Sequence, residues 1–179
     1  MFVALDLPEA PRSELGRWCE EAFGPRSDLR AVPAGHLHLT LAFLGWQDEA
    51  AAPAIAEAVF GAATGLAQPL LGVGEVRSVP PRRPRLFALD MVDEGGRAGA
   101  LQAAASAALE DLGVYRPERR PWWPHVTLAR VKRGERAVEP LAADPPPLGA
   151  IEPDELMLYR STLRPQGSLY EPLARAALG

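Results

Sequence analysis

Two pentapeptides of this chain are nearly the same, His38-Leu39-Thr40-Leu41-Ala42 and His125-Val126-Thr127-Leu128-Ala129. In an extended strand successive side chains alternate between faces. Each copy therefore sets a His and a Thr on one face and two aliphatic residues on the other, so one face packs while the other is free for chemistry. Two such strands facing each other offer two imidazoles and two hydroxyls to one small substrate: a base, an acid and two hydrogen-bond donors. A phosphodiester under attack needs that set. The chain has 3 histidines in all, and placing two of them in a repeated strand favours a shared site over two unrelated, half-buried rings.

The pattern around the repeats supplies the rest of the fold. Phe2 to Leu7 reads as a short strand ended by Pro8, and Leu15, Trp18, Cys19 and Ala22 recur at helical spacing until Gly24-Pro25. After a strand-like Leu29 to Val32, the first histidine strand is expected from His36 to Leu44. Asp48 is placed to cap a second helix with Ile55 and Val59 on its apolar side. Leu70 to Val79 and Arg85 to Val92 read as a hairpin with the basic tip Pro80-Pro81-Arg82-Arg83-Pro84. A third helix follows, with Leu101, Ala104, Ala105, Ala108 and Leu112 as its buried stripe and Gly113 at its end. The second histidine strand is expected from Trp123 to Val131. A last strand, Glu155 to Leu163, follows a loop around Pro145-Pro146-Pro147 and precedes a short C-terminal segment.

Strands joined by hairpins and interrupted by helices predict an α+β fold of mainly antiparallel sheet. The partly repeated order predicts two pseudo-symmetric lobes with helices packed outside and an active site in the central cleft, all in one domain of residues 1–179.

Composition narrows the functions open to such a fold. A length of 179 residues with 47% hydrophobic content suffices for a core. A net charge of −4 lacks the basic footprint of a protein that covers a long stretch of nucleic acid, so any such contact should be local. Cys19 is the single cysteine, which fits a reducing cytoplasm, and no basic leader or long apolar run opens the chain. A soluble cytoplasmic protein off the membrane is expected. Lys132 is the only lysine and lies in the run Arg130-Val131-Lys132-Arg133, a poor setting for the nucleophile of an ATP-dependent ligase.

The two His-x-Thr-x motifs resemble those of the two-histidine phosphoesterases. Within that superfamily the chain resembles the RNA 2′,3′-cyclic phosphodiesterases, also called 2′-5′ RNA ligases. The resembling segments run nearly end to end: FVALDLP, HLHLTLAFLG, the hairpin ending RRPRLFAL, RPWWPHVTLAR and LYRSTLRPQGSLYEPL. His36 departs from the pattern, since the position two before the motif histidine is often not histidine.

The resemblance implies two antiparallel-sheet lobes about a pseudo-two-fold axis, with the motifs facing each other. It also implies His38 as proton donor, His125 as proton acceptor, and Thr40 and Thr127 holding the phosphate; the symmetry of the motifs does not itself choose between the histidines. The implied substrate is an RNA or oligonucleotide ending in a 2′,3′-cyclic phosphate, hydrolysed to a 2′-phosphomonoester. With a 5′-hydroxyl in place of water the same chemistry gives ATP-independent 2′-5′ ligation. An imidazole of ordinary pKa near 6.5 serves as acid or base near neutral pH, and the hydroxyls can donate to the non-bridging oxygens. Side chains supply the whole set, so no metal, cofactor or obligate protein partner is expected.

Two further residues are substrate-binding candidates. Trp123 shares the parity of His125 and is placed to stack a nucleobase, although Pro124 interrupts the alternation. Arg130 has the opposite parity to Thr127 and reaches the phosphate only across a bulge; its recurrence in the family motif keeps it as a phosphate ligand. Arg82, Arg83, Arg85, Arg119 and Arg120 are placed in loops or strand ends to guide an RNA backbone. Two other readings stand beside this one: a zinc phosphohydrolase with His36, His38 and His125 as ligands, and a non-catalytic module that binds RNA ends or nucleotides.

Overall fold

The computed structural model describes residues 1–137, 144–164 and 167–179. Of the resembling segments, only Pro165-Gln166 lies outside the described residues. The first strand, β1 (Phe2–Asp6), runs antiparallel between the first histidine strand, β3 (His38–Phe43), and β7 (Glu155–Arg164). β8 (Gly167–Ala177) closes that half as its edge. In the other half the second histidine strand, β6 (His125–Val131), pairs with β5 (Leu86–Asp93), and β5 with β4 (Leu71–Val79). The halves join through one registered pair, Leu39 opposite Val126, giving the order β4-β5-β6-β3-β1-β7-β8. Beyond that pair β6 exchanges β3 for the short β2 (Leu29–Ala31) as its neighbour. The α+β, antiparallel architecture agrees with the expectation from the sequence.

Three helices cover the sheet. α1 (Glu9–Phe23) buries Leu15, Cys19 and Phe23 and packs against β2 and β6. Burial pushes the Cys19 thiol up to about 12, so it serves as a small apolar filler. The chain enters α2 (Ala52–Ala63) from Asp48, whose Oδ1 accepts the Ala50 N–H at 3.0 Å, and Ile55 and Val59 are buried as the spacing predicts. α3 (Arg97–Asp111) packs on α2, β3 and β5. Its buried stripe is Ala98, Leu101, Ala105 and Leu109, whereas Leu112 is exposed. The helix stops at Asp111, so Leu112 falls in the closing turn ahead of Gly113, whose φ of +75° suits a glycine.

Three boundaries differ from expectation. The segment after β7 is an 11-residue strand, not a short tail. Pro172 lies in it because edge strands tolerate a residue without an N–H, and the register shifts next to it. The first histidine strand starts at His38, since Ala34–His36 form a 3-10 turn. The second starts at His125, leaving Trp123 and Pro124 in the preceding loop. A single buried cluster runs through both halves and includes Leu5, Leu39, Leu41, Phe87, Leu89, Val126 and Leu128. Each such side chain contributes roughly 1.5–3 kcal/mol on burial, so the motif strands are held rigidly from behind.

Candidate active site

The repeated strands carry the same irregularity. In β3 the register against β1 passes from Thr40–Ala4 to Ala42–Val3, which leaves Leu41 as an extra residue. In β6 the register against β5 passes from Thr127–Ala88 to Ala129–Phe87, which leaves Leu128 extra. Both are bulges, and a bulge reverses which face the following residues meet. Leu128 and Ala129 are therefore both buried, and Arg130 emerges on the same side as Thr127. The bulge thus sets Arg130 on the groove side, where parity alone does not put it. In the other half the equivalent position is Phe43, which also faces the groove.

The Leu39–Val126 pair sets how the motifs meet. One residue to either side of it in antiparallel register, His38 comes opposite Thr127 and Thr40 opposite His125. The cavities follow the same crossing: a groove of about 1090 Å³ is lined by His38, Thr40, Thr127 and Arg130, and a pocket of about 280 Å³ next to it by Thr40 and His125. The register thus sets each imidazole opposite the threonine of the other motif.

Both rings are held by the same contact. His38 Nδ1 lies 2.8 Å from the carbonyl oxygen of His36, and His125 Nδ1 lies 2.8 Å from that of Trp123. A carbonyl oxygen only accepts, so each Nδ1 carries its hydrogen and donates it. Nε2 is then the nitrogen of each ring that can take up or give a proton, a base when neutral and an acid when protonated.

The surroundings of the two rings differ. His38 sits among Phe2, stacked at 4.9 Å between ring centroids, Tyr159 and Tyr170. Burial in that aromatic setting lowers its pKa to about 4, against the opposing pull of the His36 carbonyl. His125 is also lowered by burial, but the Trp123 carbonyl and the Asp90 carboxylate pull it back up. Asp90 is the register partner of His125, as Asp6 is of His38. Asp90 accepts the Trp123 indole N–H at 2.8 Å and pairs with Arg77. Asp6 instead accepts the Tyr159 hydroxyl at 2.7 Å, and burial raises its pKa. Gly74 on β4 makes room for Asp90: a Cβ there would lie 2.9 Å from the Asp90 Cβ.

These two aspartates and the aromatic wall at His38 were missed by reading the motifs alone. The signal for the aspartates is Ala-Leu-Asp, present at 4–6 and again at 88–90 on the strands that flank the motifs. Among the expected site residues, His38, Thr40, His125, Thr127 and Arg130 line the adjoining cavities. Trp123 is there too, stacked on His125 at 4.0 Å between centroids. His36 lies outside the strand with its ring against Tyr170 at 4.9 Å. Among the described residues no three His, Cys, Asp or Glu side chains group so as to hold a metal ion, so the His36, His38 and His125 zinc set does not form. Arg82, Arg83, Arg85 and Arg119 are exposed and line neither cavity, whereas Arg120 lines the smaller one.

Over residues 7–163 the chain matches the 2′-5′ RNA ligase superfamily. The RNA 2′,3′-cyclic phosphodiesterase of Thermus thermophilus is 32% identical over 99% of this chain and 89% of its own. That of Escherichia coli K12 is 30% identical over 99% of this chain and 96% of its own. The crystal structure of TT0787 from Thermus thermophilus superposes with a TM-score of 0.82 at 29% identity, covering 99% of this chain and 96% of that one. Escherichia coli LigT complexed with 3′-AMP superposes with a TM-score of 0.74 at 28% identity, covering 99% and 96%. A match of this extent, on a fold that crosses two His-x-Thr strands at one groove, places the chain in a family: it belongs to the 2′-5′ RNA ligase superfamily.

Proposed function

We propose that this protein hydrolyses RNA 2′,3′-cyclic phosphate ends to 2′-phosphomonoesters by metal-independent acid–base catalysis with two histidines. The observation that carries the reading is the crossed register, which sets each imidazole opposite the other motif's threonine, with both Nδ1 atoms bonded to carbonyl oxygens. The relatives named RNA 2′,3′-cyclic phosphodiesterase support it over nearly the full chain.

Thr40, Thr127 and Arg130 hold the cyclic phosphate and stabilise the charge that builds on its non-bridging oxygens. His125 Nε2 takes the proton of the attacking water, a P–O bond forms, and His38 Nε2 protonates the departing ribose 3′-oxygen as that P–O bond breaks. Trp123 lines the pocket beside His125 as a surface for a base. In the ligand-free site burial disfavours the charged form of His38 more strongly, while Asp90 favours it at His125. His38 acts as donor only once the phosphate's negative charge sits beside it and draws a proton there. A 5′-hydroxyl in place of water gives the 2′-5′ linkage without ATP, as a reversible side reaction.

The substrate is an RNA or oligonucleotide end, and the protein acts in the cytoplasm without a protein partner. Among the described residues no helix is long and apolar enough to cross a membrane. The test is incubation of an oligonucleotide ending in a 2′,3′-cyclic phosphate with EDTA and without ATP, followed by identification of the terminal phosphate. A 2′-phosphate is expected. Activity lost to EDTA and restored by zinc would overturn the metal-independent mechanism.

A further inference from the structure

The larger groove extends beyond what the phosphate site uses. At about 1090 Å³ it reaches the upper end of the ~300–1,000 Å³ range that holds whole small ligands. The end of β3 and the turn after it line the groove with Phe43 and Trp46, and β7 adds Leu163. These side chains are 64%, 87% and 86% exposed. Among the described residues no ring stacks on Phe43 or Trp46, and the Trp46 indole N–H has no acceptor. Large apolar side chains gathered bare along one groove mark a surface that something covers.

The repeat identifies what is special about this wall. Phe43 follows its strand's bulge as Arg130 follows the other, so equivalent positions supply an aromatic ring on one side and a cation on the other. The phosphate end belongs beside Arg130, Thr40 and Thr127. A cyclic phosphate closes an RNA strand at its 3′ side, so every further nucleotide of that strand lies 5′ of the reacting ribose. The groove that opens beside Arg130, Thr40 and Thr127 carries aromatic surface.

Resting on the function proposed above, we infer that Trp46, with Phe43, is a stacking platform for the bases of single-stranded RNA upstream of the reacting nucleotide. It makes the protein selective for oligonucleotide ends over 2′,3′-cyclic mononucleotides. Every base has a π-face, so the platform selects strand length and not sequence.

The test compares kcat/KM for a trinucleotide ending in a 2′,3′-cyclic phosphate with that for a 2′,3′-cyclic mononucleotide, in the native, Trp46→Ala and Trp46→Phe proteins. The native protein should favour the trinucleotide, Trp46→Ala should lose about fivefold to a hundredfold of that preference, and Trp46→Phe should keep most of it. An unchanged preference in Trp46→Ala, or an equal loss on both substrates, would overturn the inference. Failure of the native protein to hydrolyse either substrate would instead sink the proposed function. The platform would then be read from tryptophan fluorescence during titration with a trinucleotide bearing a 2′-phosphate. A smaller quenching amplitude and weaker binding in Trp46→Ala support it, and quenching of the same amplitude and midpoint in both proteins overturns it.

Discussion

The indole of Trp123 lies flat on the imidazole of His125, with ring centroids 4.0 Å apart and planes 15° apart. The same residue's carbonyl takes the His125 Nδ1 hydrogen, and its Nε1–H is tied to Asp90. One loop residue thus fixes the ring's plane, its tautomer and its distance from a carboxylate. The equivalent histidine, His38, takes its backbone contact from His36 but its stacking from Phe2 on another strand. The fold repeats the geometry and divides the labour differently in each half.

Trp123→Ala keeps the carbonyl and removes the stack and the tie to Asp90. The His125 ring gains freedom, and misorientation of a catalytic group lowers kcat. A fall of about tenfold in kcat from the freed ring, together with a raised KM from the lost surface for a base, is expected from steady-state kinetics. A raised KM at constant kcat would make the indole a base-binding surface only.

His38→Ala and His125→Ala should each lower kcat/KM by about a hundredfold or more, the usual cost of losing a general acid or base. Thr40→Ala and Thr127→Ala should cost about tenfold to a hundredfold by removing one donor to the transition state. His36→Ala should stay close to the native rate, because His36 holds His38 through its backbone carbonyl, which the substitution leaves in place. A severe defect in His36→Ala beside a mild one in His38→Ala would exchange their roles.

The site residues were legible because a strand's period of two is rigid: it put His and Thr of each motif on one face, as the structure has them. Arg130 escaped that rule. Its position depends on the Leu128 bulge, whose trace in the sequence is only the pair of successive aliphatics Leu128-Ala129, matched by Leu41-Ala42. The C-terminal strand was hidden for a different reason. Pro172 looks like a strand breaker until the segment is seen to lie on an edge, where no further strand needs its N–H. The aromatic wall at His38 brings Phe2 of the first strand together with Tyr159 and Tyr170 of the last two, and local pattern carries no record of such a meeting.

Stability should depend on pH through His38. Its folded pKa is about 4, below the 6.5 of an exposed imidazole. The unfolded chain therefore binds the extra proton between these values, and the native state loses stability as pH falls from about 6.5 toward 4. Denaturant unfolding of native protein and His38→Gln should show this, with a shallower acid dependence in the variant. Parallel pH curves would remove His38 as a source of the effect.

In the proposed mechanism one imidazole works neutral and the other protonated, so the rate should follow a bell whose two limbs belong to the coupled pair. Burial lowers both histidines in the free protein, so kcat/KM should peak below pH 6.5. The bound phosphate opposes that shift, so kcat should peak at higher pH. Asp90→Asn takes away a carboxylate that favours charged His125. The last proton to leave the free pair is the one on His125, so the variant should move the alkaline limb of kcat/KM to lower pH.

A substrate with a good leaving group separates donor from acceptor. Such a group departs without a proton, so it relieves the need for the acid but not for the base that deprotonates water. If His38 is the donor, the activated substrate should restore much of the rate to His38→Ala and little to His125→Ala. The ligand-free electrostatics lean the other way, because the first proton settles more readily on His125, beside Asp90, than on His38 within its aromatic wall. Rescue of His125→Ala alone would mean that this leaning survives substrate binding. It would make His125 the acid and His38 the base, with the crossed threonines serving the same phosphate.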